Sequence, residues 1–449
     1  MVPKLICRGV VSRTTQVNNV DIGHEMSSIQ LISKSELKFS FKEKSETILI
    51  TLGCFFLYFR LSDAAVIGQA TSTHWLFAAL SPYSLILAFT SLFLLFSSRI
   101  IAGKRLNVSP LLQFYLAVLF FYSLRIFSID EVGKSLAGIF VVVMFIFVAS
   151  SYKDKKRQLI FFRTVEVGIY WFGVLVVLTS LFLFLQGLGY FYQGFRFSGL
   201  SFHPNQFGLI TALVLIYFLG SLLERNLFRL KKYFLISLIL LATFFLFASG
   251  SRGGALAAVV GIMYIAIGAG INLARFIGIL LVFVITYALF ASLNEQSLLI
   301  FERLGENTDN RSEVFNVMFE GFISSPFIGL GGDAVGSENS ILKALAIGGL
   351  MCGLPLIYFV WKLFGDLYKR MLLTSSMKDV LSIAQLKFNA MIVAIMVASL
   401  FEGYLFERFG LVAFMLILIL SSRIDFRLDQ VPVSKGKVVS PKIARFLKS

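Results

Sequence analysis

Cysteine, histidine and acidic residues are all scarce in this sequence. Its 449 residues include 3 Cys, 3 His and 25 Asp and Glu, against 41 Lys and Arg. The cysteines, Cys7, Cys54 and Cys352, form no CxxC pair and lie far apart, and two of them fall inside apolar runs. This excludes a disulfide framework and a cysteine-based metal site. We interpret the cysteines as packing residues and predict neither a metal nor a cofactor.

Charge of either sign is also rare, and apolar residues take its place. Only 15% of the residues are charged, whereas 57% are apolar and 49 are Phe. This apolar share exceeds that of soluble globular chains, and the mean hydropathy is +0.83. The composition predicts an all-α polytopic membrane protein.

We expect no cleavable signal at the N-terminus. Residues 1–45 are polar and basic and lack the apolar core and small-residue cleavage site of a secretory signal. We expect a flexible cytoplasmic tail there and another at 423–449, both attracted to anionic inner-leaflet lipid. The membrane domain is predicted at 46–422, with no soluble domain and no internal repeat.

A window of about 19 residues indicates about twelve transmembrane helices. An even number with a cytoplasmic N-terminus puts both termini in the cytoplasm. The predicted spans are centred near residues 55, 86, 119, 141, 176, 214, 240, 262, 282, 353, 392 and 414.

The net charge of +16 would suit nucleic-acid binding if the basic residues formed one patch. In the predicted topology they are spread over the cytoplasmic segments instead, as the positive-inside rule requires. We therefore predict no nucleic-acid partner. The basic residues on or near the outer side are Arg60, Arg125, Lys134, Arg196, Arg252, Arg303, Arg311, Lys343 and Arg408.

Three outer segments are rich in polar residues: 187–206, 249–254 and 293–343. The third is much longer than the other connections, and long loops in compact domains are often functional. Within it an apolar stripe at helical spacing predicts a short helix that begins after Asp309 or Asn310 and stops at Pro326. The stripe consists of Phe315, Met318, Phe319 and Phe322.

After this helix a glycine-rich turn at 329–332 leads to Glu338 and Asn339, which precede the next span. A carboxylate at the mouth of a helix bundle can be a salt-bridge partner or a general base. Both interpretations of Glu338 stay open at this level.

The segment "GYFYQGFRFSGLSFHPNQFG" places Arg196, His203 and Asn205 at the start of one span. Its aromatic residues suit a membrane interface, and sugar stacking is the alternative. His203 is either a helix cap bonded to Asn205 or a catalytic group.

Arginines on the outer face form a set, since Arg rather than Lys favours bidentate recognition of phosphate or carboxylate. Arg252 is the strongest candidate, because a guanidinium at a span end is costly unless an anion pairs with it. Gly250, Gly253 and Gly254 beside it allow a close backbone approach. The set comprises Arg196, Arg252, Arg303, Arg311 and Arg408.

Three stretches in order, "FRFSGLSFHPNQFG", "LFASGSRGGALAAVVG" and "RSEVF…FEGFISSPFIGLGGDAVGSENSIL", resemble the O-antigen ligase and polysaccharide polymerase (Wzy-type) superfamily over residues 185–365. The resemblance implies a multi-pass enzyme of the bacterial inner membrane that uses undecaprenyl-pyrophosphate-linked glycans as donor and acceptor at the periplasmic face, without metal. A chain-length regulator and a flippase are the candidate protein partners. Ligases of the superfamily typically carry His-Asn where this sequence has Glu338 and Asn339, and polymerases often have an acidic residue there.

In the implied reaction a sugar hydroxyl attacks the anomeric carbon with inversion while undecaprenyl pyrophosphate leaves. The resemblance assigns the pyrophosphate to Arg196, Arg252 and Arg311, and we add Arg303, Arg408, Asn205 and Asn339 as substrate-binding candidates. Glu338 is the candidate base and His203 the second choice. A polymerase is the first prediction, a ligase the alternative, and a lipid-linked glycan flippase or transporter a third. Against transport, the sequence has no inverted repeat and few charges at span centres.

Overall fold

The computed structural model describes residues 41–60, 83–101, 108–125, 155–190, 196–201, 203–224, 227–271, 311–331, 339–376, 380–406 and 411–423, with isolated positions at 139, 142, 143, 145, 146, 278 and 285. The chain divides into two compact units, Met1–Lys44 and Ser45–Ser449. Apart from the first turn of one helix, everything below belongs to the second unit.

Helices account for nearly all of the described residues. In chain order they are α1 (Phe41–Arg60), α2 (Ser84–Ile101), α3 (Pro110–Arg125), α4 (Lys155–Leu185), α5 (Pro204–Leu222), α6 (Arg229–Ala248), α7 (Arg252–Gly268), α8 (Arg311–Ser324), α9 (Ser340–Ser376), α10 (Val380–Ala398) and α11 (Leu411–Ser422). A 3-10 turn at Tyr404–Phe406 precedes α11. The β structure in these ranges is one bridge between Tyr190 and Phe197.

Four of the described helices are long and apolar enough to cross a membrane: Arg157–Leu185, Pro204–Leu222, Arg229–Ala248 and Ser340–Met371. Shorter apolar helices lie within α2, α3, α7, α10 and α11. The predicted class, a helical multi-pass membrane protein, agrees with this. The number of twelve spans stays a prediction, since the centres near 141 and 282 lie outside the described residues. The other ten centres fall within described helices.

Helix α5 forms the centre of the bundle. Nearly every residue along it is buried, and it packs against α6, α7 and α10. A helix that is apolar all round must be covered on every side. Small residues let the neighbours approach: the backbones of Gly208 on α5 and Gly254 on α7 touch, a packing mode common between membrane helices. Cys54 and Cys352 are buried and free, while Cys7 lies outside the described residues.

The predicted short helix in the long loop is confirmed as α8. It begins at Arg311 and ends at Ser324, two residues before Pro326. Met318 is buried, whereas Phe319 is 52% exposed, so only part of the apolar stripe packs. After α8 the chain docks into a break in α9 at Gly349, where φ is 58°, and the N–H of Leu350 donates to the carbonyl of Pro326 (2.8 Å).

The bundle has two polar ends, which α5 connects. The Arg196 end lies at Pro204, and the Lys387 end lies at Ser221, whose hydroxyl is 3.1 Å from Lys387 Nζ. At a rise of about 1.5 Å per residue, the stretch of α5 from Pro204 to Ser221 separates the two ends by about 26 Å. Lys387 contacts Glu166 and Glu224, each at 2.8 Å.

Candidate functional site

Three helix N-termini meet at the Arg196 end of the bundle. Helix α5 has His203 as its N-cap, and α7 has Ser251. Asn339 Oδ1 accepts hydrogen bonds from the N–H groups of Ile341 and Leu342 at the start of α9. Because helix N-termini carry partial positive charge and point N–H groups outward, such ends favour anions.

His203 acts as a helix cap. Its Nδ1 accepts a hydrogen bond from the N–H of Asn205 (3.2 Å), and Pro204 occupies the first helical position, where the missing N–H costs nothing. His203 therefore has the geometry of a helix cap, one of the two interpretations of its sequence position. In the neutral ring with Nδ1 accepting, the proton sits on Nε2.

Arg196 joins the loop before α5 to the turn between α6 and α7. Its Nε donates to the carbonyl of Ser249 (2.8 Å), and its Nη2 donates to Asn205 Oδ1 (2.7 Å). Gly250 has a φ of 59°, and a Cβ at this position would lie 3.2 Å from Arg196 Nε. The glycine thus permits the left-handed turn over which the guanidinium lies.

The side chain of Asn205 links Arg196 to Glu402. While its Oδ1 accepts from Arg196, its Nδ2 donates to Glu402 Oε1 (2.6 Å). Glu402 belongs to the segment between α10 and α11. Nothing in the local sequence indicated Asn205 as its partner, because the two residues are 197 positions apart.

Arg252 is the first residue of α7 and is half-buried. Its position is set by Ser251, whose hydroxyl accepts from the N–H of Gly254 (3.1 Å). Gly254 serves helix packing, because its Cα faces the backbone of Gly208. Arg252 and Arg196 therefore flank the same turn, with Gly250 between them, and both lie beside the start of α5.

The start of α9 is fastened to the Glu402 segment. The N–H of Ser340 donates to the carbonyl of Ser399 (2.9 Å). The Ser340 hydroxyl donates to the carbonyl of Glu402 (3.0 Å) and accepts from the N–H of Leu405 (3.2 Å). Asn339 precedes it with a φ of 54°, a conformation that Asn tolerates better than most residues. The predicted site residues Arg196, Asn205, Arg252 and Asn339 thus lie at one end of the bundle.

Arg125 is a residue that sequence reasoning assigned to the outer side without a role. Its Nε donates to the carbonyl of Ile328 (3.0 Å), and its Nη2 donates to that of Gly329 (2.9 Å). It therefore fixes the turn between α8 and α9. The sequence shows a basic residue at 125 and a glycine-rich turn at 329–332, but the spacing between them does not indicate that they touch.

The aromatic residues of the segment before α5 serve packing where the structure describes them. Phe197 is fully buried and lies 5.3 to 5.5 Å from the rings of Tyr190, Phe207 and Phe245. A ring in this position is not open to a sugar. Partial burial raises the pKa of the Tyr190 hydroxyl, so this group stays neutral at physiological pH.

Several predicted site residues lie outside the described residues, namely Glu338, Arg303 and Arg408. Arg311 is the first residue of α8, and its side chain is not among those described. Among the residues described, no group of His, Cys, Asp and Glu could hold a metal ion.

The Arg196 end therefore combines two guanidinium groups with three helix N-termini, an arrangement suited to a phosphorylated ligand. No curated protein matches the chain. A family model described as O-antigen ligase (Wzy_C) matches residues 236–349, a segment that contains Arg252 and Asn339. The matched residues fall within 185–365, the stretch in which the motifs predicted this resemblance.

Proposed function

We propose that this protein is a glycosyltransferase of the bacterial inner membrane that polymerises undecaprenyl-pyrophosphate-linked repeat units into O-antigen, capsule or exopolysaccharide at the periplasmic face. The observation that carries the proposal is the meeting of Arg196, Arg252 and the N-termini of α5, α7 and α9 at one end of an apolar bundle. The match of residues 236–349 to the O-antigen ligase family supports the reaction class.

The chemistry follows from charge development. When a sugar hydroxyl attacks the anomeric carbon, the bond to the pyrophosphate breaks and negative charge accumulates on the departing phosphate. Donors already in position stabilise this charge without reorganising. Arg196 is held by two hydrogen bonds at fixed positions, so its guanidinium is preorganised. Arg252, on the adjacent turn, provides the second guanidinium.

A base must accept the proton of the attacking hydroxyl. We assign this role to Glu338, because it directly precedes Asn339, where α9 begins at the same end of the bundle. His203 is the second choice. Its Nδ1 accepts from the N–H of Asn205, so the proton of the neutral ring sits on Nε2, and His203 could accept the hydroxyl proton only after Nδ1 gave up this cap. Arg311, Arg303 and Arg408 remain proposed phosphate ligands.

The test compares lipid-linked glycan length in membranes of a deletion strain that carries wild type, Arg252→Ala or Glu338→Gln. Polymer from wild type, with single repeat units accumulating in both variants, is the expected result. Arg229→Ala is the matched control, because Arg229 is the first residue of α6, as Arg252 is of α7, and is exposed. Normal polymer from Arg252→Ala at equal expression would remove Arg252 from the mechanism.

The matched family's description favours a ligase as the second candidate. A ligase would transfer a finished lipid-linked glycan to lipid A-core or another acceptor. In the same strain, loss of a ligase leaves full-length polymer on its lipid carrier, whereas loss of a polymerase leaves single repeat units.

A further inference from the structure

A pocket of about 370 Å³ lies at the Lys387 end of the bundle, between α3, α4, α9 and α11. Its polar lining comes from Ser109, Gln158, Lys362, Asp366, Arg370 and Arg423, with Ser421 beside them. Asn389, which binds Arg423, is two residues from Lys387 on α10. The pocket is therefore remote from the Arg196 end, and its properties do not depend on the function proposed for that end.

Positive charge dominates this pocket. Among the described lining residues, Lys362, Arg370 and Arg423 face one acid, Asp366. That carboxylate is already shared, because it accepts from Arg423 Nη1 (2.7 Å) and from Arg370 Nε (3.0 Å). The lining therefore holds an excess of cations over anions.

Arg423 is the deepest of the three cations. Its side chain is 7% exposed, and its Nη2 donates to Asn389 Oδ1 (2.8 Å). Its Nε has no hydrogen-bond partner among the residues that the structure describes, and a buried donor without a partner is costly. Burial lowers the pKa of Arg423 to about 10, which keeps it charged at neutral pH. An anion in the pocket would compensate this charge.

The N-terminus of α3 opens onto the same pocket. Ser109 accepts from the N–H of Leu112 (3.4 Å) as a cap, and Pro110 follows it. The positive end of this 16-residue helix adds to the side-chain cations. Beside the charged groups, the rings of Phe114 and Tyr358 lie 5.0 Å apart, and both are partly exposed, so the pocket joins a polar interior to an apolar outer face.

We propose that this pocket binds a phosphate group, held by Lys362 and Arg370 above Arg423 and beside the N-terminus of α3. Phosphate chemistry fits because guanidinium groups and helix N-termini both recognise its oxygens. Two sources share this chemistry: the headgroup of an anionic phospholipid, whose acyl chains would lie along Phe114 and Tyr358, and soluble phosphate.

The test uses the purified full-length protein in two arms. The first measures retention of phosphatidylglycerol relative to phosphatidylcholine by native mass spectrometry of protein released from mixed-lipid nanodiscs. The second measures the shift of the unfolding temperature with inorganic phosphate against chloride at equal ionic strength. Each arm compares wild type with Lys362→Gln and with Lys362→Gln/Arg370→Gln. Lys369→Gln is the matched control, because Lys369 is exposed on the same helix and does not line the pocket.

Binding of at least one probe should weaken by about tenfold in Lys362→Gln, the change expected for one charge-assisted hydrogen bond, and further in the double variant. Lys369→Gln should bind as wild type does. If the substitutions weaken only the retention of phosphatidylglycerol, the ligand is a lipid headgroup. If they weaken only the effect of inorganic phosphate, the ligand is a soluble anion. Equal losses in Lys362→Gln and Lys369→Gln, or no binding of either probe by wild type, would overturn the proposal. If the double variant does not fold, Lys362→Gln decides, because Lys362 is exposed.

Discussion

Asn205 Nδ2 and Glu402 Oε1 form a 2.6 Å hydrogen bond between the first turn of α5 and the segment that follows α10. Since Asn205 Oδ1 accepts from Arg196 at the same time, the carboxylate fixes which way the amide faces. An amide turned the other way would present an NH₂ group to the guanidinium. Glu402 is therefore a positioning residue for Arg196.

Replacing Glu402 tests this relationship. Glu402→Ala should reduce glycan transfer by about tenfold or more, because small displacements of positioned groups are costly in catalysis. Glu402→Gln should restore part of the activity, since its amide oxygen still accepts from Asn205. The measurement is a transfer assay with lipid-linked substrate in detergent, with KM and kcat determined separately. A purely structural role for Glu402 would lower the unfolding temperature without raising KM.

Lys387 is predicted to be a major contributor to stability. It is 1% exposed and contacts Glu166 and Glu224, so Lys387→Met would remove the cation that Glu224 contacts and one of the cations that pair with the buried Glu166, which also contacts Arg163. We expect a loss of about 3 kcal/mol, as is typical when one partner of a buried pair is removed. Thermal unfolding in detergent measures it, with Lys369→Met as the control on an exposed site. Adding Glu166→Gln to Lys387→Met should recover stability, and a further loss would contradict the ion-pair explanation.

The contact between α5 and α7 depends on two glycines. A Cβ at Gly254 would lie 2.7 Å from the carbonyl carbon of Gly208, so Gly254→Ala must push the helices apart. We expect a destabilisation of about 1–3 kcal/mol, the usual cost of overpacking. At the neighbouring Gly253 the nearest atom would be Phe401 Cβ at 3.9 Å, and Gly253→Ala should be neutral or stabilise the helix by up to about 1 kcal/mol. Equal effects of the two substitutions on unfolding temperature would refute this packing argument.

Asn339 allows stability and activity to be separated. It caps α9 and has a φ of 54°, so Asn339→Ala loses the cap, at about 1 kcal/mol, and adds strain from the left-handed backbone. Asn339→Asp keeps an acceptor and tolerates this backbone, so its unfolding temperature should stay near that of wild type. If Asn339 also binds substrate, the aspartate variant should still lose transfer activity, because its negative charge would repel phosphate. Full activity in Asn339→Asp would limit Asn339 to capping.

Local sequence patterns predicted many of the helices correctly. The apolar runs located the described helices, and the stripe with its following Pro326 predicted α8 between correct limits. The segment around Arg196, His203 and Asn205 was recognised as a polar cluster, and Arg196 does contact Asn205. These features depend on residues close together in the chain, where spacing translates directly into geometry.

Contacts between distant residues were decided only by tertiary packing. Hydropathy by itself determined that the chain forms apolar helices, because backbone groups in lipid must be satisfied within each helix. It did not determine which helices become neighbours, because hydropathy carries no information on side-chain shape and many apolar helix faces have similar hydropathy. The packing of the helices decided that Glu402 meets Asn205, that Lys387 on α10 meets Glu166 on α4, and that Arg423 lines a cationic pocket between α3, α4, α9 and α11. Close packing selects these partners, since glycine contacts and side-chain shapes allow only certain helix pairs to approach.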